Sequence, residues 1–213
     1  MAKAEKTAET PAVTSASDIQ RLKLRLIGRP GSPLVIHSFA EKAKQEIRDK
    51  QQKRAKQAKG ERDTDAEFRA ARYVDEQGRE CAPLMAIKKS MVSAATAMEN
   101  LTKVALRQAI FVEPTHDPAS QLVPIETTDG QPAVGVKRED AVTIGINTRG
   151  LVYRPEYKDW SLRVTVEFNA RLVSRDQVIA LATQAGWGVG ICEGRPERSS
   201  SFGWGRFSVT VED

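Results

Sequence analysis

Residues 160–168 read Trp-Ser-Leu-Arg-Val-Thr-Val-Glu-Phe and alternate apolar with polar side chains at a period of two. Valine, threonine and phenylalanine suit a pleated, half-buried surface, so we predict a strand with one face inward. A short amphipathic helix is predicted next, with Ser174 as its N-cap and Gly186 as its end. This strand and helix are the most clearly specified part of the chain, and the other elements are interpreted around them.

A glycine-rich loop is predicted at 186–205, and Arg206 follows it directly. Glycine permits positive φ and close approach of another molecule, and freed backbone amides together with arginines can hold phosphate while aromatic rings stack on bases. The loop is therefore a candidate polyanion site. Its candidate residues are Arg195, Arg198, Arg206, Trp187, Phe202 and Trp204. The alternative is a wide hairpin whose glycines only permit bulges and whose tryptophans lie in the core.

The composition is that of a moderately basic globular protein: 213 residues, 40% of them hydrophobic and 29% charged, with a formal net charge of +5. Two distant cysteines and two histidines argue against structural zinc, and no metal or small-molecule cofactor is expected. No apolar run is long enough to cross a bilayer, and the N-terminus lacks a signal-peptide core. We therefore expect a cytoplasmic protein with reduced thiols and no membrane partner.

The first 80 residues divide into an arm, a strand and an insertion. Residues 1–18 are predicted to be a disordered arm, and a single domain is expected over 19–213, beginning with a strand whose outer face is basic. The insertion 38–80 should contain a long polar helix from Ser38 to about Ala58, followed by a small strand pair at 71–74 and 81–82.

The insertion carries a strong excess of positive charge. Between positions 41 and 62 there are nine basic residues and four acidic ones, an excess of five. One interpretation is a basic flap that orders on a polyanion, with four lysines and arginines as candidate contacts; the other is a solvated helix face. The candidate contacts are Lys50, Lys53, Arg54 and Lys56.

A core helix is predicted over 83–98, because apolar side chains recur there at helical spacing. Lys88 and Lys89 are placed in its first turn, where free backbone amides and the helix dipole favour an anion; alternatively they face water. A strand is predicted at 105–112, and hairpins are expected to project from the sheet over 113–158.

With the insertions set aside, the order is β-α-β-β-α-β, which predicts an α+β fold of the ferredoxin-like or RRM-like type with a basic helical insertion and projecting β-hairpins. The loop pattern, with Gly186, Gly188 and Gly190 before Phe202-Gly203-Trp204-Gly205, resembles the RAMP superfamily, which includes backbone and crRNA-processing subunits of CRISPR effector complexes. The C-terminal sixty residues, with Tyr153-Arg154-Pro155 near their start and Gly194-Arg195-Pro196-Glu197 in the loop, are also similar to uncharacterised bacteriophage and prophage proteins. Such a resemblance implies single-stranded nucleic-acid binding by subunits that stack head to tail.

Three classes of function remain open at this point. The leading hypothesis is a phage-type, sequence-independent protein that binds single-stranded DNA or RNA, with DNA favoured, and forms a homo-oligomer along it. The second is a virion structural protein or an inhibitor of a host defence complex. The third is a metal-independent, RNA-cleaving RAMP-type nuclease that uses His37 as general base, although no second catalytic group is evident.

Overall fold

The computed structural model describes residues 15–38, 48, 51–52, 62–115, 117, 120–144, 148–199 and 201–212. Within these residues the protein is α+β, with antiparallel sheets and four α-helices. The strands are β1 (Ile19–Gly28), β2 (Leu34–Val35), β3 (Tyr73–Val74), β4 (Glu80–Pro83), β5 (Ile110–Pro114), β6 (Leu122–Pro124), β7 (Val136–Ile144), β8 (Thr148–Tyr157), β9 (Ser161–Asn169) and β10 (Phe207–Glu212). The helices are α1 (Thr64–Ala70), α2 (Leu84–Ala94), α3 (Lys103–Ala109) and α4 (Arg175–Gln184).

The main sheet has four strands in the order β10-β1-β9-β5, and each pair of neighbours is antiparallel. The predicted alternation is confirmed in both central strands. Leu22, Leu24 and Leu26 of β1 are buried, and so are the four apolar side chains of β9, namely Leu162, Val164, Val166 and Phe168. Helices α2 and α4 contact each other and the sheet, and their apolar side chains join the same core. The other face of the sheet carries polar and charged side chains.

Helix α4 begins as predicted but does not end at Gly186. The Ser174 hydroxyl accepts from the backbone amide of Gln177, and the Gln177 side chain accepts from the backbone amide of Ser174. Beyond Gln184 the helical backbone widens into a π turn, Ala185–Val189, which ends where Gly190 adopts a φ of 73°. The predicted stop at Gly186 is therefore wrong, because a glycine without positive φ is compatible with continued helical backbone.

The predicted position of Lys88 and Lys89 in the first turn of helix α2 is wrong. The helix begins at Leu84 after Pro83 and ends at Ala94, where a short 3-10 turn continues the chain. Lys88 and Lys89 are the fifth and sixth helical residues, so they lie in the second turn and not beside the free amides of the first. The helix-terminus argument for an anion at these lysines therefore does not hold.

The strand predicted at 105–112 is largely wrong. Thr102 caps α3 by accepting a hydrogen bond from the backbone amide of Ala105, and the chain remains helical to Ala109. Leu106 and Ala109 are buried while Gln108 is exposed, which is the spacing of one side of a helix and not the alternation of a strand. Only Ile110–Pro114 forms a strand, at the edge of the main sheet.

Two smaller sheets carry the insertions. Strands β7 and β8 form the long hairpin expected within 113–158, and β2 pairs with β8; strands β3, β4 and β6 form the other sheet. The predicted strand pair around the turn at 75–78 is confirmed as β3 and β4. Buried Glu80 joins the two sheets, because its carboxylate accepts from Tyr157 Oη (2.5 Å) and from the backbone amide of Gly135 (2.9 Å).

Several sequence-based expectations lie outside the described residues. These are residues 1–14 of the arm and most of the predicted basic helix, including Lys50, Lys53, Arg54 and Lys56. The end of the arm is ordered, however, because Ala16–Asp18 form a 3-10 turn directly before β1. No helix among the described residues has both the length and the apolar composition to span a membrane.

Candidate functional site

The exposed indole of Trp187 lies beneath two guanidinium groups. The Cζ atoms of Arg29 and Arg206 are 4.8 Å and 4.7 Å from the centre of its ring, and the side chain is still 55% exposed. Each contact is within the range of a cation–π interaction. We call Arg29, Trp187 and Arg206 the arginine–tryptophan cluster.

Three separate segments build the arginine–tryptophan cluster. The π turn after α4 supplies Trp187, the turn after β1 supplies Arg29, and the residue before β10 supplies Arg206. Arg206 Nε donates to the Trp187 carbonyl oxygen (3.0 Å), and Arg29 Nε donates to the Phe207 carbonyl oxygen (3.4 Å). Because each guanidinium is held by a backbone oxygen, both cations are positioned in the folded protein.

The backbone around the cluster is fixed by one buried serine. The Ser32 hydroxyl donates to the Gly203 carbonyl oxygen (2.6 Å) and accepts from the backbone amide of Arg206 (2.8 Å). The Ser32 carbonyl oxygen accepts from Trp160 Nε1 (3.0 Å). This network ties the end of the glycine-rich loop to the turn after β1, so the loop is anchored at its C-terminal end.

The glycines of the loop serve packing at several positions. A Cβ on Gly186 would come within 3.0 Å of the Phe207 carbonyl oxygen and ring, and one on Gly205 would meet the Ile191 carbonyl oxygen, at a φ of 63°. Gly188 is different, since a Cβ there would meet only the end of the Gln184 side chain, at 3.2 Å. Close backbone packing therefore explains Gly186 and Gly205 without any ligand.

The cluster carries positive charge without a carboxylate partner among the residues that the structure describes. The indole attracts both guanidiniums and so offsets part of their mutual repulsion. An anion from solution would find two oriented donors and no competing acid. Arginine forks suit phosphate oxygens in particular.

A second aromatic group lies at the tip of the loop. Phe202 stacks on Trp204 with ring centres 4.2 Å apart and an interplanar angle of 22°, and the Arg138 guanidinium lies 4.3 Å from the centre of the Trp204 ring. Phe202 is 48% exposed, whereas Trp204 is only 8% exposed. We call Phe202, Trp204 and Arg138 the Phe202 stack. Trp204 supports Phe202 and presents little open surface of its own.

The remaining candidate cations of the loop and of α2 have different surroundings. Arg195 is paired with Glu197 (3.2 Å) and donates to the Cys192 carbonyl oxygen, while Arg198 is exposed. Lys88 lies 3.9 Å from the centre of the Phe111 ring and donates to a backbone oxygen, and its burial lowers its pKa. Lys89 is exposed. Of the predicted site residues, the fold thus brings together two pairs, Arg206 with Trp187 and Phe202 with Trp204.

The open face of the main sheet is also rich in arginine; Arg25 donates there to the Thr128 carbonyl oxygen (2.5 Å), whereas two other arginines are paired with carboxylates. Arg21 contacts Glu167 at 3.0 Å and Glu113 at 3.6 Å, and Arg163 contacts both Glu212 (3.1 Å) and Glu126. Large aromatic side chains are absent from the outward positions of β1 and β9. Two arginines of this face are thus neutralised, and its exposed ring, Phe111 of β5 beside Glu167, is already covered by Lys88.

His37 follows β2 and lies near the ion pair of Arg154 and Glu193. Burial is the largest cause that lowers its pKa; Arg154 lowers it further, and Glu193 opposes the shift. The side chain nevertheless keeps an exposed surface, and no hydrogen-bond partner for it is found in the described part of the chain. Its predicted role as a general base stays a hypothesis. Among those same residues, no cluster of three or more potential metal ligands occurs.

Sequence reasoning missed Arg29 and Arg138. Arg29 follows β1 in the sequence Gly-Arg-Pro-Gly, and this turn could have been flagged as basic. Its approach to Trp187, 158 positions later, has no local signal because it depends on the pairing of β1 with β10. Arg138 lies on β7 and reaches Trp204 through the hairpin, so it too is identified only in three dimensions.

Comparisons with known proteins give limited information. No protein-family model matches the chain, and no curated protein matches it. Among solved structures, the crystal structure of Cmr6 from Pyrococcus furiosus is similar over 92% of this chain and 100% of that chain, at 10% sequence identity and a TM-score of 0.41. Similarity at this level does not establish a shared fold or activity. None of these comparisons bears on a phage origin.

Proposed function

We propose that this protein binds single-stranded nucleic acid through the arginine–tryptophan cluster. The observation that carries the proposal is the convergence of Arg29 and Arg206 on one exposed indole, without a carboxylate partner among the described residues. Phosphates of a flexible strand would neutralise the two guanidiniums, and this sequence-independent contact would make affinity depend strongly on salt. Exposed Arg198 and Lys89 would add positive charge to the surface. Lys50, Lys53, Arg54 and Lys56 lie outside the described residues and stay candidate contacts on the sequence alone.

We infer that the core is ferredoxin-like, with an arrangement related to that of RRM domains. In core order the strands are β1, β5, β9 and β10, and α2 and α4 connect β1 to β5 and β9 to β10. If these four strands are numbered in that order, they lie side by side across the sheet as fourth, first, third and second, and all neighbours are antiparallel. In this arrangement the cluster lies at the end of the sheet where β1 finishes and β10 begins, away from the ion-paired open face.

Assembly of several copies along one strand is part of the same proposal. Strands β5 and β10 are the two edges of the main sheet in the described residues, and exposed Phe111 and Val211 lie on them. An edge strand offers unpaired backbone groups that a second copy could use. Cooperative binding would then tighten as the nucleic acid becomes longer.

The test is fluorescence anisotropy with labelled oligothymidine and oligouridine of several lengths, at low and at moderate salt. We expect binding that weakens with salt, and the preferred sugar distinguishes DNA from RNA. Arg206→Gln should lower the affinity about 10-fold to 150-fold, because a hydrogen bond to a charged group contributes about 1.5–3 kcal/mol. Arg107→Gln is the matched control, because it removes the same charge from one exposed position on α3. It should leave the affinity unchanged.

Absence of binding to both sugars would overturn the proposal, and so would equal losses in the Arg206 and Arg107 variants. Binding that does not tighten with oligomer length would contradict assembly along the strand, but it would not contradict the proposed binding site. A wild-type protein that binds no nucleic acid would favour the alternative of a structural or interaction protein.

A further inference from the structure

The Phe202 stack differs from the arginine–tryptophan cluster in what covers its exposed ring, although the exposed fractions of Phe202 and Trp187 are similar. The ring of Trp187 lies beneath two guanidiniums, whereas Phe202 rests on Trp204 on one side and is 48% exposed. A flat base needs an uncovered ring face for stacking. Of the two aromatic groups, Phe202 is the one that meets this requirement most directly.

The position of Phe202 is fixed before any ligand arrives. The Ser199 hydroxyl oxygen accepts from the backbone amide of Phe202 (3.0 Å), and the Trp204 amide donates to the Gly194 carbonyl oxygen (3.2 Å). A Cβ on Gly194 would come within 3.0 Å of the Trp204 ring, so the ring packs directly on the glycine backbone. A ring that is already ordered loses little conformational entropy when a base stacks on it.

The charges beneath the Phe202 stack are balanced. Arg138 is paired with Asp140 (2.8 Å) and Glu156 (2.6 Å), and Arg154 is paired with Asp140 (2.7 Å). The two arginines beneath the stack are therefore already neutralised by carboxylates, and the stack offers an apolar ring face. Contact with this surface would depend on a base and would respond little to salt.

We infer that Phe202 is a base-stacking platform, and that the loop divides recognition between phosphates at the arginine–tryptophan cluster and an unpaired base at Phe202. Phe202 and Arg206 are four residues apart, so their Cα atoms are at most about 14 Å apart, within reach of one short strand. This inference rests on the proposed function and specifies its ligand: a strand with accessible bases, as opposed to a duplex or a base-free polyanion.

The experiment compares two labelled probes of equal length, an oligothymidine and an abasic oligomer with the same phosphates and no bases. Phe202→Ala should weaken oligothymidine binding about 5-fold to 150-fold, the range expected for one base–aromatic stack, and leave abasic binding and the salt dependence unchanged. Phe202→Tyr keeps a ring and should bind like the wild type. The matched control is Phe68→Ala, which removes a partly exposed ring on α1 that the Arg72 guanidinium already covers, 5.4 Å from its centre.

Each outcome separates the two proposals. If Phe202→Ala binds oligothymidine like the wild type, or weakens both probes equally, the stacking platform is excluded while an effect of Arg206→Gln would still support phosphate binding. If Phe202→Ala does not fold, Phe202→Leu supplies the same test, because it keeps apolar packing on Trp204 without a ring. Wild-type protein that binds neither probe overturns both proposals.

Discussion

The open face of the main sheet and the arginine–tryptophan cluster both contain arginines beside exposed polar surface, yet their electrostatic states are opposite. On the sheet, Arg21 and Arg163 each contact two carboxylates. In the cluster, Arg29 and Arg206 contact an indole and backbone oxygens. The number of basic residues on a surface therefore does not identify a polyanion site; the number left without an acidic partner does.

The strongest test of this difference is to remove two positive charges from each region in turn and to compare how the two variants bind nucleic acid. The double substitution Arg29→Gln and Arg206→Gln should lower affinity for oligothymidine tenfold or more and reduce the slope of log affinity against log salt by about 1.4, since each phosphate contact on a single strand contributes roughly 0.7. The same net change on the sheet, Arg21→Gln with Arg163→Gln, should leave both quantities unchanged, because both arginines are already paired with carboxylates. Equal losses in the two proteins, measured by anisotropy across a salt series, would contradict the distinction.

Substitution of the loop glycines tests whether they allow close packing of the loop backbone or make room for a ligand. Gly186→Ala should reduce the free energy of unfolding by about 1–3 kcal/mol, because its Cβ would press on the Phe207 carbonyl and ring. Gly188→Ala is the matched control: it meets only a flexible side-chain end and should raise stability by less than about 1 kcal/mol. Urea unfolding measures both. A Gly186→Ala protein with wild-type stability and impaired binding would instead indicate that the glycine makes room for ligand.

The smallest expected effect is the pH dependence of stability that His37 causes. This side chain lies near the ion pair of Arg154 and Glu193. Its pKa is lowered in the folded protein, so below the ordinary value of 6.5 the unfolded chain takes up a proton that the folded chain does not. Stability should therefore fall as pH decreases through that range. His37→Gln cannot titrate, so its melting temperature should fall less between pH 7 and pH 5 than that of the wild type. Parallel pH profiles for the two proteins would show that His37 is not desolvated.

Local sequence patterns identified the elements that depend on neighbouring residues. The alternation in β1 and β9 marked their buried faces, and Ser174 marked the start of α4 through its capping interaction with Gln177. These signals succeed because a strand alternates its faces at every residue and a cap acts within one helical turn. They failed over 105–112, where a one-turn capping interaction at Thr102 favoured helix over strand.

The sequence by itself determined the α+β class, the basic composition and the loop in which Trp187, Phe202 and Arg206 occur. Only the tertiary structure decided which cations are neutralised. Arg21 meets Glu167 across 146 positions, because β1 pairs with β9 in a particular register, and Arg29 meets Trp187 because β1 also pairs with β10. Charge pairing acts over a few ångströms in space at any separation along the chain, so no local pattern in the sequence could distinguish a paired arginine from an available one.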